Sequence, residues 1–131
     1  MLVALLVLSP PDTGDAHRHA IGFAEAVLHG GHELSCVFFQ DAGVLTALSG
    51  CETPQDEPDL RARWQALARE HGVSLFACVA SAARFGVSGP GARSQDGDGG
   101  TSRLLPGFTV GGLGELIDAS RRSDRLLTFA D

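Results

Sequence analysis

The sequence predicts a three-layer α/β/α fold around a mostly parallel sheet of about five strands, in a single domain spanning residues 1–131. Three observations carry this expectation. Leu2–Leu8 is an unbroken apolar run of strand length, as in a strand covered on both faces. Further strand-length runs alternate with segments of helical period, the order that yields parallel strands joined by crossover helices. The chain has 131 residues and is 44% hydrophobic, enough for one core and too short for two ordinary domains of about 100–150 residues each.

The elements follow in order. After the Leu2–Leu8 strand, Ser9-Pro-Pro-Asp-Thr-Gly-Asp15 is rich in turn formers and reads as a loop. Ala16 to Leu28 carries Ala20, Phe23, Ala24, Val27 and Leu28 at helical spacing, and Gly30-Gly31 stops the helix. Leu34–Phe39 is the second strand and Ala42–Leu48 a short helix; Ser49 to Asp59, polar with two prolines, is a loop. Leu60–His71 is an amphipathic helix with Trp64, Leu67 and Ala68 inward, stopped by Gly72. Val73–Val79 is the third strand and Ala80–Phe85 a short helix. Ser88 to Arg103 is nearly all turn formers and reads as a long mobile loop. Phe108–Val110 is a short strand, Leu113–Ser120 a helix with Leu116 and Ile117 inward, and Leu126–Phe129 the last strand.

Composition removes several function classes. The net charge is −6 and all ten basic residues are arginine, so the basic footprint of a direct nucleic-acid binder is missing. Without lysine there is no Schiff-base amine, and without tyrosine no phenol. The longest apolar run is far short of the roughly 20 residues that span a bilayer, and it lacks the basic flank and cleavage site of a signal peptide. A cytoplasmic protein is expected. Three cysteines with no C-x-x-C spacing argue against a disulfide framework or zinc ribbon and fit reduced thiols.

In a parallel sheet of this kind the reaction edge lies beyond the carboxyl ends of the strands. Cys78, Gln40-Asp41 and the Ser9–Asp15 loop all fall there. Cys78 ends a strand and faces the first turn of a helix, where unpaired N–H groups and the helix dipole favour thiolate, the nucleophilic form. The following Ala-Ser-Ala-Ala leaves that terminus uncrowded. Placement alone leaves two readings of Cys78 open, a reactive thiol and a small buried hydrophobe. Cys36 lies mid-strand and reads as core; Cys51 lies in a polar loop, exposed, with a weak claim to a resolving role toward Cys78.

The remaining motifs read as structural. His17 and His19 point apart on a helix, and His29 and His32 flank a Gly-Gly stop, so all four are expected on the solvated surface with no metal. His71 suits a helix carboxyl terminus. Gly107 to Gly114 does not fit a dinucleotide fingerprint, no phosphate loop is present, and Asp96-Gly-Asp98-Gly is too short for a calcium loop. No cofactor is expected.

Taken in order, the segments resemble the DsrE/TusD family of sulfurtransferase subunits nearly end to end. Phe23-Ala24-Glu25-Ala26 and Gly31-His32-Glu33-Leu34-Ser35 resemble its first helix and second-strand entry. Val37-Phe38-Phe39 with Gly43-Val44 is similar to its V-F-F-x-x-x-G-V element, and Trp64 with Glu70-His71-Gly72-Val73 to its central helix end. Cys78-Val-Ala-Ser-Ala-Ala-Arg84-Phe-Gly86-Val87 resembles C-V-A-A-A-x-R-x-G-[VI], which carries the family's persulfide cysteine. Gly107-Phe108 through Gly114 and Ser123-Asp124-Arg125-Leu126 resemble its G-F-x-x-x-G-L-G and final D-R-[LV] elements.

The resemblance implies a DsrE-like fold with flavodoxin/Rossmann-like layering and Cys78 as the catalytic residue. It further implies a heterohexamer with TusB- and TusC-like subunits, a TusA-like persulfide donor and a TusE/DsrC-like acceptor. The sulfur would then serve 2-thiouridine formation at the tRNA wobble position. The alternatives are a DsrE-type subunit in dissimilatory sulfur oxidation and a non-catalytic structural subunit. Two departures, Gln40-Asp41 in place of an aromatic-basic step and Ser88-Gly-Pro-Gly-Ala in place of an acidic stretch, bear on partner docking.

Overall fold

The computed structural model describes residues 1–49, 53–87 and 104–131. Cys51 and the glycine-rich 88–103 segment lie outside them. The strands are β1 (Leu2–Val7), β2 (Glu33–Phe39), β3 (Ser74–Cys78), β4 (Phe108–Gly111) and β5 (Arg125–Phe129). The helices are α1 (Ala16–His29), α2 (Leu60–His71), α3 (Val79–Arg84) and α4 (Leu113–Arg122). The short helix after β2 is 3-10 in form, Asp41–Ala47.

The five strands form one sheet in the order β4-β3-β2-β1-β5, and every pairing is parallel. The expected layering follows from handedness. Steps from β1 through β4 run one way across the sheet, so right-handed crossovers put α1 and α2 on one face. The β4-to-β5 connection runs back across β3, β2 and β1 and lays α4 on the other face, where it touches β1, β2 and β4.

Side-chain alternation on β1 sorts the two interiors. Val3, Leu5 and Val7 join Val37, Phe39, Leu75 and Ala77 under Ala20, Ile21, Ala24, Trp64 and Leu67. Ala4 turns to the opposite face and meets Cys36, Phe76 and Ala119 of α4. Small residues at Ala4, Cys36 and Ala119 let α4 sit close to the sheet. Burial of the whole Trp64 side chain, at 0% exposure, accounts for about 3–5 kcal/mol if it were truncated to alanine.

One expectation on α4 is corrected. Ile117 is 59% exposed, not inward, and Leu113 is 55% exposed. Leu116 is half-buried and Ala119, three residues on, is buried, so the contact stripe runs through 116 and 119. Ile117, about 100° around the helix from Leu116, falls off a stripe that narrow.

Helix ends are closed mostly by local chemistry. Asp59 Oδ1 accepts from the Ala62 N–H at 3.1 Å at the start of α2, and Gly72 ends that helix at φ 67°, donating to the Ala68 carbonyl. Glu115 reaches back to the Gly112 N–H at 2.8 Å to start α4. The start of α1 is closed from the far end of the chain: Asp131 Oδ1 accepts from the Asp15 and Ala16 N–H groups, each at 3.1 Å. None of the helices among the described residues is long and apolar enough to cross a membrane.

The Asp41–Ala47 segment packs directly on the carboxyl end of β1. Gly43 donates its N–H to the Leu8 carbonyl at 3.1 Å, and Gln40 donates to Val7 at 3.0 Å. A Cβ on Gly43 would run into the Val7 carbonyl oxygen, which is backbone and has nowhere to go. Gly43→Ala is therefore expected to destabilise by about 1–3 kcal/mol, the range for overpacking. Gly22, mid-helix with open space around it, is the contrast; Gly22→Ala is expected to stabilise by up to about 1 kcal/mol through helix propensity. Urea denaturation of the two variants checks both signs.

Candidate functional site

Register brings the expected reaction edge together. Val7 pairs with Phe39, Phe39 with Ala77, and Cys78 with Gly111, so the loops after β1, β2 and β3 leave from one side of the sheet. Cys78 is the last residue of β3 and the N-cap of α3, the strand-to-helix junction expected from the sequence. Gly111 sits beside it; a Cβ there would press on the Phe76 ring at 3.0 Å, a tight contact that glycine avoids.

Contrary to the expected open terminus, Cys78 is 3% exposed. The small residues after it do not leave a gap, because the neighbouring segment closes over them. Ser81, in the first turn of α3 and 5% exposed, accepts the Asp41 N–H on its Oγ at 2.9 Å. Asp41 itself takes φ 53°, a left-handed conformation uncommon outside glycine, asparagine and aspartate. The Ser81 bond thus ties the strained exit of β2 to the helix that follows Cys78. Among the described residues no histidine or carboxylate hydrogen-bonds the Cys78 thiol.

The other cysteines separate. Cys36 is buried mid-strand as expected, and burial pushes its thiol pKa up, which disfavours reactivity. Cys51, expected exposed and considered as a resolving thiol toward Cys78, lies outside the described residues.

His17 is the main correction. It was expected on the surface with His19; His19 is exposed, but His17 is 2% exposed. The Trp64 indole N–H, which can only donate, points at His17 Nδ1 at 3.1 Å. Nδ1 is therefore the acceptor, and Nε2 carries the proton and donates to the Ser9 carbonyl at 2.6 Å. Thr46 Oγ1 lies 3.4 Å from the same nitrogen, and the ring stacks on Phe39 at 6.1 Å. One neutral imidazole thus links the β1 loop, α1, the Asp41–Ala47 segment and α2. Helix spacing separates His17 from His19 but carries no information about the Trp64 and Ser9 partners that allow His17 to be buried.

Arg61 also escaped sequence reading. It is 7% exposed, and its Nε donates to the Leu45 carbonyl at 3.2 Å. Its position three residues before Trp64 puts both on one helix face, a signal available in the sequence. His29, His32 and His71 are exposed, and among the described residues no group of three or more His, Cys, Asp or Glu side chains could hold a metal ion.

Comparison with known proteins extends these observations to the whole chain. The model of the DsrE/DsrF-like family matches residues 1–129. A protein named sulfurtransferase TusD from Klebsiella pneumoniae subsp. pneumoniae is 44% identical over 129 residues, covering 98% of this chain and 100% of that one. A protein named putative sulfurtransferase DsrE from Allochromatium vinosum is 36% identical over 131 residues, with 100% of both covered. The crystal structure of the ychN protein from E. coli matches with a TM-score of 0.74 at 20% identity, over 98% of this chain and 99% of that one, a likeness of fold.

The His17 contacts set a pH dependence. Burial, foremost, holds the imidazole below its ordinary pKa of 6.5, with Arg61 adding to the effect and the Ser9 bond opposing it. The unfolded chain takes up a proton near the ordinary value while the folded chain resists it, so stability is full above about pH 6.5 and falls as pH drops below that. Urea midpoints are expected to decrease between about pH 7.5 and pH 5.5, and a His17→Gln variant, less stable at pH 7.5 by about 1–3 kcal/mol, is expected to show a shallower decrease.

Proposed function

The chain belongs to the DsrE/DsrF-like family as a sulfurtransferase subunit of the DsrE/TusD type, and from that premise we propose that Cys78 carries persulfide sulfur from one protein to another. The observation that carries the reading is the position of Cys78, at the carboxyl end of an interior parallel strand and the first turn of a helix. This is the edge where open α/β sheets place their chemistry.

The steps balance without an outside oxidant or reductant. The Cys78 thiolate attacks the outer sulfur of a donor persulfide. A Cys78 S–S bond forms, the donor S–S bond breaks, and the donor leaves as thiolate. An acceptor thiolate then attacks the outer sulfur of the Cys78 persulfide, and Cys78 leaves as thiolate. Each step trades one S–S bond for another.

The partners proposed are a TusA-like donor, a TusE/DsrC-like acceptor, and TusB- and TusC-like subunits in a heterohexamer. Leu113 and Ile117, 55% and 59% exposed on α4, give the chain apolar surface that an assembly would cover. The destination proposed is 2-thiouridine at the tRNA wobble position. The greater identity to the Klebsiella protein than to the Allochromatium protein supports that branch over sulfur oxidation. The net charge of −6 suits a subunit that hands sulfur to a protein rather than to RNA.

A second reading has one observation in its favour. At 3% exposure Cys78 is packed like a core thiol, as in a non-catalytic structural subunit. Transfer requires the segment around Cys78 to open when a partner docks. Incubation with a persulfide donor, followed by intact mass measurement, separates the two. The wild-type chain, with its partner subunits present, is expected to gain the mass of one sulfur atom, and Cys78→Ser to gain none. An adduct that persists in Cys78→Ser would move the chemistry to Cys36 or Cys51; no adduct on the wild type would favour the structural subunit.

A further inference from the structure

A cavity of about 320 Å³ opens at the carboxyl edge of β1, lined by Pro11, Asp12, Pro54, Glu57, Pro58 and Arg61 among others. Cys78 does not line it. β1 is the strand where the winding of the sheet reverses, since β2 lies on one side and β5 on the other. In open α/β sheets that reversal point is where ligands bind.

Arg61 is the unusual wall. Arginine is almost never this buried unless paired, and at 7% exposure Arg61 has no carboxylate within 4.0 Å among the described residues. Its Nε is occupied by the Leu45 carbonyl, and no described contact uses the two Nη groups. Among the described residues no fully buried side-chain nitrogen lacks a partner, so those Nη groups reach solvent, and the cavity is the opening that Arg61 lines. The nearby His17 ring is neutral and supplies no counter-charge. A guanidinium with free donors, held in a recess, is a ready carboxylate receptor.

The rest of the wall decides what carries that carboxylate. Asp12 and Glu57 both line the cavity and are themselves exposed, so a simple anion is repelled at the mouth while an ammonium group is attracted. Prolines 11, 54 and 58 with Leu60 provide an apolar wall between the charges. We propose that this cavity binds a small zwitterion, an α-amino acid, with its carboxylate on Arg61 and its ammonium group toward Asp12 and Glu57. The site is separate from Cys78 and does not rest on the sulfur-transfer reading.

Isothermal titration of the full chain at neutral pH, with L-alanine, acetate and ethylammonium as separate probes, tests it. L-alanine is expected to bind at one site at least about tenfold more tightly than either single-charge probe. Arg61→Met is expected to abolish the binding, and Glu57→Gln, a change at an exposed position, to weaken it several-fold. Should Arg61→Met fail to fold, Glu57→Gln and the probe comparison on the wild-type chain still decide. The absence of saturable binding of L-alanine overturns the proposal, as does acetate binding as tightly as L-alanine, or full binding retained in either variant.

Discussion

Gly43 lies against the carbonyl oxygen of Val7 with no room for a side chain, and four neighbouring parts of the fold take their positions from the segment it anchors. From Asp41 the backbone N–H reaches Ser81 in the helix after Cys78. The Leu45 carbonyl holds Arg61 of α2, and Thr46 sits beside His17 of α1. The Ala47 carbonyl accepts from Leu105 at 2.7 Å on the approach to β4. A single close backbone approach at the end of β1 therefore sets the geometry of the whole carboxyl edge, where both the thiol and the Arg61 cavity lie. The left-handed Asp41 is the strain that this arrangement requires, and the Ser81 hydroxyl is the contact that holds it.

The same packing explains why Cys78, the proposed sulfur carrier, is closed off. Cys78 is surrounded by a sheet end and a short helix that is tied across to β2, so its sulfur is covered although the local sequence is small and open. Burial of this kind prevents stray oxidation of a thiol but also blocks a protein-borne persulfide. The proposed sulfur transfer at Cys78 therefore requires partner docking to move α3 or the segment bound to it. The Ser81–Asp41 hydrogen bond, one neutral contact of about 1 kcal/mol, is a modest barrier to such movement.

The layered fold was legible because periodicity and chain order suffice for it: apolar runs gave the strands, and handedness placed the helices. The junction at Cys78 was legible for the same reason, since a strand end and a helix start are both local signals. What escaped depended on partners distant in sequence. His17 is buried because Trp64, 47 residues on, and Ser9 satisfy its two nitrogens, and helix spacing alone cannot reveal that. The N-terminus of α1 is closed by Asp131, from 115 residues away, with no local side-chain cap. Ile117 was misplaced because hydrophobicity marks a side chain that could be inward, while the width of the contact stripe is set by how few elements cover that face of the sheet. Arg61, absent from the inward set of Trp64, Leu67 and Ala68, is buried on the helix phase it shares with Trp64.

The proposed transfer has two halves: sulfur rests on Cys78 and then leaves it for another protein. Isotopically labelled sulfane sulfur, followed by peptide mass mapping before and after addition of an acceptor thiol protein, reads both halves in one experiment. Label is expected on the tryptic peptide running from Glu70 to Arg84, which contains Cys78, and is expected to leave it as the acceptor becomes labelled. Label on a peptide containing Cys36 or Cys51 instead, or label that stays on the Cys78 peptide when the acceptor is added, would contradict it.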